Sequence, residues 1–284
     1  MRKTKHHIRR LFTLSLYALC ALSFNSATAG EVDSAYFAKL IFEANNRGDF
    51  LPDIYRVNPH IGEPTLYAIQ KYYVEARLAA GDVIGGFKGG FVPEAPVGGV
   101  LFGGDKVLTG EPVLNLKDFG LLVVEAEIGF RFCKAVAAPL DSIERLKQHV
   151  CEVMPVVEIA DGALADFATV KQNFTHLRNS LIAINVASSH TLVGEAHPVE
   201  TALDGLPVSM RHNGAAIGER DLAQKIDFWQ NLLWIVNSYV LKQGYSLAPG
   251  HFIIAGNLTG IHPAKPGSYH ADFGSLGSLH FQVQ

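Results

Sequence analysis

LLVVEAEIGFRF, residues 121–132, is a run of branched and aromatic residues that reads as a core β-strand, yet it carries Glu125 and Glu127 one residue apart. Side chains alternate faces along a strand, so the two acids point one way while Val124, Ala126, Ile128 and Phe130 point the other. The apolar face predicts contact with the core, and the acid face predicts a shared polar pocket. Two carboxylates about 6–7 Å apart on one strand face repel by roughly a few kcal/mol at protein-like screening. A shared proton, a basic partner or a divalent cation each offsets that repulsion. The alternative reading is a strand face turned to water.

Two further stretches bear on that choice. MPVVEIAD, residues 154–161, again sets an acid, Glu158, inside a β-rich run. No Cys/His pair shows the close spacing of a structural zinc site. Three carboxylates with little nitrogen or sulfur favour a hard ion, Mg²⁺ or Mn²⁺. GGFKGG, residues 85–90, holds Lys88, the only basic residue of its glycine-rich neighbourhood before Lys106. Flanking glycines let a backbone approach a ligand closely; an exposed surface lysine is the alternative.

Around these stretches the chain alternates helical and β-like patterns. VDSAYFAKLIFEANNRGDF reads as an amphipathic helix capped by Asp33 or Ser34 and stopped at Gly48. PTLYAIQKYYVEARLAAGD reads as a second helix, with Pro64 in its first turn and Leu66, Ile69, Tyr73 and Ala76 on one stripe. Residues 81–110 hold ten glycines interleaved with Val, Ile, Phe and Leu, which predicts loops and short strands near a site. Beyond residue 107, β-like runs dominate, SLIAINVASS among them, and DFWQNLLWIVNSYVLKQG is the one helix expected there.

Bulk composition sets the frame. The chain has 284 residues, 48% hydrophobic and 18% charged, enough for a sizeable core. MRKTKHHIRR, then the apolar LFTLSLYALCALSF, then Ala27-Thr28-Ala29 read as a secretory signal peptide, residues 1–29. The apolar run is shorter than the roughly 20 residues that spanning a bilayer needs. The expectation is a chain exported to the periplasm or beyond, with no membrane segment after cleavage. Cleavage leaves 19 Lys+Arg against 27 Asp+Glu, a net charge near −8. With no basic stripe or RNA-binding aromatic motif, nucleic acid is not an expected partner. Cys133 and Cys151 remain in an oxidising compartment, either as a disulfide or as buried free thiols.

Taken in order, YAIQKYY, GDVIGGFKGG, LFGG, VVEAEIGF, MPVVEIAD, APGHFIIAGNLTG and SLGSLHF resemble the fumarylacetoacetate hydrolase superfamily. The similarity is to its branch of 2-keto-4-pentenoate hydratases and 4-oxalocrotonate decarboxylases, and it runs over residues 60–284. The resemblance implies an α+β fold: a mixed β-sheet roll of the fumarylacetoacetase C-terminal type, residues 85–284, with an N-terminal helical segment, residues 30–84, packed on it. It implies a lyase-type enzyme that binds Mg²⁺ or Mn²⁺ through Glu125, Glu127 and Glu158. A small 2-oxo acid would chelate that ion, which would act as a Lewis acid stabilising an enolate while Lys88 assists as a charge or proton donor. Gly89, Gly90, Leu101 and His251 are the implied substrate-binding positions, and a homo-oligomer is left open.

The chain departs from the branch's pattern in several places. Lys88 is followed by Gly-Gly-Phe-Val rather than Val-Gly-Leu-Thr, and Val97 stands where an acid is expected. His251 and Ala255 replace an Asp and a Thr, and Gln172-Asn173 replace an Asp-Asn pair. Metal ligands kept while polar helpers change imply either an altered substrate or an exported binding protein without activity. A glycosidase fits less well, because its two acids must flank a sugar from opposite sides.

Overall fold

Strand Leu122–Phe132 runs through the middle of a nine-stranded mixed sheet. Val124, Ala126, Ile128 and Phe130 are fully buried on its apolar face, as alternation requires. Burying each of the larger ones stabilises the fold by about 1.5–3 kcal/mol. The computed structural model describes residues 32–91, 94–164 and 167–284. The expected signal peptide lies outside the described residues. Val32–Gln284 form a single compact unit.

In chain order the helices are α1 (Ser34–Arg47), α2 (Ile54–Val57), α3 (Glu63–Ala79), α4 (Ile143–Lys147), α5 (Phe167–Val170), α6 (Phe174–Ala183) and α7 (Phe228–Trp234). The large sheet contains β1 (Ile84–Gly90), β2 (Val97–Phe102), β3 (Val107–Leu108), β5 (Leu122–Phe132), β6 (Val150–Asp161), β7 (Ser188–Val193), β8 (His197–Pro198), β11 (Phe252–Ala255) and β12 (His262–Pro263). A second sheet of five strands contains β4 (Val113–Leu114), β9 (Ser209–His212), β10 (Ala215–Glu219), β13 (Gly267–Asp272) and β14 (Ser278–Val283). The large sheet runs in the order β2-β1-β11-β5-β6-β7-β3; β1–β11 and β3–β7 are parallel and the rest of that path is antiparallel. The result is an α+β fold built on a large mixed, curled sheet.

The N-terminal helices follow their local signals. The Asp33 carboxylate accepts the Tyr36 N–H at the start of α1, and Gly48 ends the helix in the left-handed region at φ 67°. Helix α3 opens with Pro64 in its first turn and buries Leu66, Ile69 and Tyr73. It packs against α1 on one side and α6 on the other.

The glycine-rich stretch forms β1, β2 and β3 with loops between them, and sterics explain its composition. A Cβ at Gly86 would lie 1.8 Å from the Phe252 carbonyl oxygen, and one at Gly98 would lie 2.0 Å from the Tyr239 ring. Only glycine lets β1 and β2 approach β11 and the helix after α7 this closely. That helix continues from α7 as π-type turns over Ile235–Val240, a change that the apolar periodicity did not forecast.

SLIAINVASS is not a strand throughout. Residues 180–183 end helix α6, and β7 begins only at Ser188. Between them Asn185, Val186 and Ala187 all have left-handed backbones, with φ of 56°, 51° and 57°. Three non-glycine residues in that region store strain that the surroundings must hold in place. Gln172 and Asn173 serve as local structure: the Asn173 side chain caps α6 by accepting the His176 N–H at 3.0 Å. Cys133, just past β5, and Cys151, near the start of β6, form a disulfide.

Candidate metal centre and active site

The β5–β6 register sets Glu125 directly opposite Glu158, with Glu127 two residues along on the same face. Oxygens of Glu125, Glu127 and Glu158 all lie within 4.8 Å of one another. The trio is the one cluster of metal-ligating type found among the described residues. Glu127 and Glu158 are buried and Glu125 is partly open to the cavity, so the water-facing strand of the alternative reading does not occur.

Lys88 reaches this cluster from β1. It is buried, ion-paired with Glu158, and donates at 3.1 Å to the Val186 carbonyl in the left-handed segment. Asn185 holds that segment in place. Its amide donates to the Val100 carbonyl at 2.9 Å and accepts the Val100 N–H at 2.7 Å, so it acts as an extra strand residue against β2. The strained turn therefore aims a carbonyl at the lysine.

Burial dominates the electrostatics. It pushes Glu125 up to about 8, aided by the charge of Glu158 and opposed by Lys88. Burial, then Glu158 and Glu125, raise Glu127 well above the usual carboxylate range. Burial alone would lower Lys88, but Glu158, Glu125 and Glu127 outweigh it, so the ammonium is raised and stays protonated. The Asn257 amide donates to Glu125 at 2.6 Å. Glu127 Oε2 is buried with no hydrogen-bond partner among the described residues, a costly state that a cation would relieve.

The group fits a divalent ion. Oxygens in one octahedral shell with bonds near 2.1 Å stand at most about 4.2 Å apart. The three carboxylates already approach that spread, and an all-oxygen donor set suits Mg²⁺-like ions. Beneath the acids, on the same face of the sheet, Leu101, Met154, Val156, Val193, Phe252 and Ile254 form a separate apolar layer that closes the site below.

The acids and Lys88 line a cavity of about 570 Å³, and so do Gly89, Gly90 and Ala255. Leu101 and His251 do not. Leu101 pairs with Gly86, two positions before Lys88, which puts it in the apolar layer. His251 precedes β11, packs edge-on against Phe87 and accepts the Ala248 N–H with Nδ1, away from the cavity. Val97 is buried in β2 opposite Gly90. The sequence reading also passed over Asn185, Asn257 and Thr259. Thr259 lines the cavity, and its buried hydroxyl has no partner among the described residues. The one sequence signal for Asn257 and Thr259 is their place in GNLTG, where a polar cluster follows a buried strand.

No family model matches the chain. Two curated proteins are similar to it. A 4-oxalocrotonate decarboxylase from Pseudomonas sp is 29% identical over 161 residues, 56% of this chain and 60% of that protein. A 2-oxo-hept-4-ene-1,7-dioate hydratase from Escherichia coli is 23% identical over 245 residues, 78% of this chain and 86% of that protein. The alignment thus spans less than two thirds of the decarboxylase's length. Among solved structures, 4-oxalocrotonate decarboxylase from Pseudomonas putida G7 superposes with a TM-score of 0.77 at 21% identity, covering 90% of this chain and 99% of that one, in a complex with magnesium and adipate. Its complex with calcium and acetate gives 0.78 at 20% identity, with the same coverage of both chains.

Curated and structural neighbours alike match 4-oxalocrotonate decarboxylase and fumarylacetoacetate hydrolase-family proteins, so the fold is that of the fumarylacetoacetate hydrolase superfamily. Within it, the likeness is to the decarboxylase and hydratase branch.

Proposed function

We propose that this chain is a divalent-metal-dependent enzyme of the lyase type, a hydratase or decarboxylase acting on a small 2-oxo or 2-hydroxydienoic acid. The observation that carries the reading is the convergence of Glu125, Glu127 and Glu158 with Lys88 in the wall of one ligand-sized cavity. The names of both curated relatives, a decarboxylase and a hydratase, support it. Mg²⁺ is the favoured ion, with Mn²⁺ acceptable to the same oxygens.

Each residue has a role that follows from its placement. Glu125, Glu127 and Glu158 would hold the ion. Bound there, it supplies a Lewis acid that polarises the carboxylate and keto oxygens of an oxo acid. Lys88, protonated and fixed between Glu158 and the Val186 carbonyl, presents positive charge and a proton where negative charge develops on the substrate. Asn257 orients Glu125, and the Thr259 hydroxyl is free to bond the substrate. The apolar layer below the acids keeps water out from that side.

Thermal unfolding with Mg²⁺ or Mn²⁺, with and without oxalate as a stable mimic of a chelating oxo acid, tests the site. Stabilisation that needs metal and oxalate together is expected. Glu125→Gln, Glu127→Gln and Glu158→Gln should each abolish it; unchanged metal binding in all three would overturn the assignment.

A second reading is a binding protein without turnover. It is favoured by Ala255, which lines the cavity where the family pattern expects a Thr, and by Val97, buried in β2 opposite the cavity-lining Gly90 where the pattern expects an acid. A rate well above background on any oxo acid would exclude it. The place of action we propose is outside the cytoplasm: the signal-peptide pattern and the Cys133–Cys151 disulfide support it.

A further inference from the structure

The charges of the cavity are lopsided in sign, which bears on the part of the substrate beyond its oxo-acid head. Lys88 is the only cationic side chain among its described lining residues, and Glu158 already engages it. Glu219 and Asp221, at the end of β10 and just after it, add two acids to the wall. With a divalent ion bound, the lining remains net negative.

The nearby cations are committed elsewhere. Arg220, between the two acids, donates to the carbonyls of Leu203 and Leu206 and lies over the Phe228 ring. Arg178 on α6 donates to Glu63 and to the carbonyls of Ala95 and Pro96. Lys225 lines a neighbouring cleft rather than this cavity. The rest of the wall combines apolar side chains, Phe91, Phe167, Leu177 and Leu181 near α6 and Ile226 and Ile235 near α7, with the neutral amides of Gln224 and Asn231.

We infer that the cavity selects a 2-oxo acid with a single carboxylate and an uncharged, largely apolar tail, and disfavours dicarboxylic acids. This rests on the oxo-acid reading of the site and goes beyond it, since both curated relatives and the adipate complex are named for dicarboxylic compounds. A second carboxylate would give up its hydration for a wall that sets the charges of Glu219 and Asp221 against it and offers only the neutral amides of Gln224 and Asn231, with no free cation. An alkyl tail would exchange water for the apolar side chains, a gain of about fourfold in affinity per buried methylene.

Calorimetric titration of the purified protein in saturating Mg²⁺ with oxalate, pyruvate, 2-oxohexanoate and 2-oxohexanedioate tests this. Oxalate reports the head-group site alone. The last two ligands share a six-carbon chain and differ in the terminal carboxylate. The expected result is 2-oxohexanoate binding more tightly than pyruvate, and at least about tenfold more tightly than the diacid. Glu219→Lys, an exposed strand-end substitution, should narrow that gap about tenfold; oxalate binding shows that the variant is folded. If oxalate binds but the diacid binds as well as the monoacid, or if Glu219→Lys leaves the gap unchanged, the tail inference falls and the site reading stands. If oxalate shows no Mg²⁺-dependent binding, both fall.

Discussion

Glu125 and Glu158 are direct cross-strand partners in the antiparallel β5–β6 pair, and both face the same cavity. Like charges in that position destabilise a sheet, and burial magnifies the effect. The fold accepts the arrangement because Lys88 pairs with one acid and raised proton affinity quiets the others. In the absence of metal the pair is a cost to stability that a divalent ion would remove.

Stability without metal should therefore fall as pH rises through neutrality. Glu125 binds its proton up to about 8 when folded, against an ordinary value of 4.5. Its contribution is fully present below 4.5 and is lost as pH rises through about 8, and Glu127 acts in the same direction. His190, which burial lowers to about 4, has the opposite dependence, but only between about 4 and 6.5. Denaturant melts in EDTA between pH 6.5 and 8 should show a loss on the order of 1–2 kcal/mol. Added Mg²⁺ should reverse it, with a stabilisation that grows over the same range because the ion displaces protons. A metal effect that is flat with pH would contradict the raised carboxyls.

Glu127→Gln separates the cost of the acid from its use. The amide keeps the shape of a side chain whose Oε2 has no partner and removes its charge. At pH 8 without metal the variant should be as stable as the parent or more so, by roughly 1–3 kcal/mol. The Mg²⁺-induced shift should vanish. Loss of stability in EDTA would mean that Glu127 has a structural partner.

Lys88→Met should be destabilising, and increasingly so at higher pH. Removing one member of a buried pair typically costs about 3–5 kcal/mol because the other charge is left unpaired. Lys88 also favours the charged form of Glu125, whose carboxyl is pushed up to about 8, and that help matters only where Glu125 ionises, so the loss should be smaller at pH 5 than at pH 8. Urea melts at the two pH values read this directly. Equal losses would show that Lys88 acts by packing rather than charge.

Much of this site was legible because strand alternation is a short-range rule. Glu125 and Glu127 in LLVVEAEIGFRF fixed their own shared face, and the Asp33 cap and the first-turn Pro64 marked the starts of two helices. What was not legible depends on partners distant in sequence. Helix α6 was missed because SLIA is a short apolar run without helical period, and its cap, Asn173, precedes it by several residues. The left-handed turn at Asn185–Ala187 has no glycine to announce it and exists because Asn185 is bonded to Val100, 85 residues earlier. Leu101 and His251 were placed by resemblance; strand register sets Leu101 in the apolar layer, and His251 turns to Phe87 and the Ala248 N–H instead of the cavity.

Gly98→Ala tests whether the glycines of β2 are steric necessities. The added methyl would meet the Tyr239 ring, whose hydroxyl donates to Gln70 at 2.7 Å, and Gln70 in turn donates to the Gly98 and Ile182 carbonyls. The ring has no free path to retreat. A loss of about 3 kcal/mol is expected, at the upper end for overpacking. A change under about 0.5 kcal/mol in urea melts would mean that the strand shifts freely and the close approach is incidental.

The Cys133–Cys151 disulfide should stabilise the site's strands without shaping the site itself. It joins the far end of β5 to the start of β6, at the opposite end of the pair from Glu125 and Glu158. The loop it closes spans 18 residues, for which chain entropy predicts about 3 kcal/mol. In a domain of this size that corresponds to a Tm roughly 6–12 °C lower after reduction. The Mg²⁺–oxalate shift should survive reduction at temperatures where the protein is still folded, because the acids are held by their own strand register. If reduction abolishes that shift while the fold persists, the disulfide is a positioning element for the metal centre. Metal binding would then depend on an oxidising compartment.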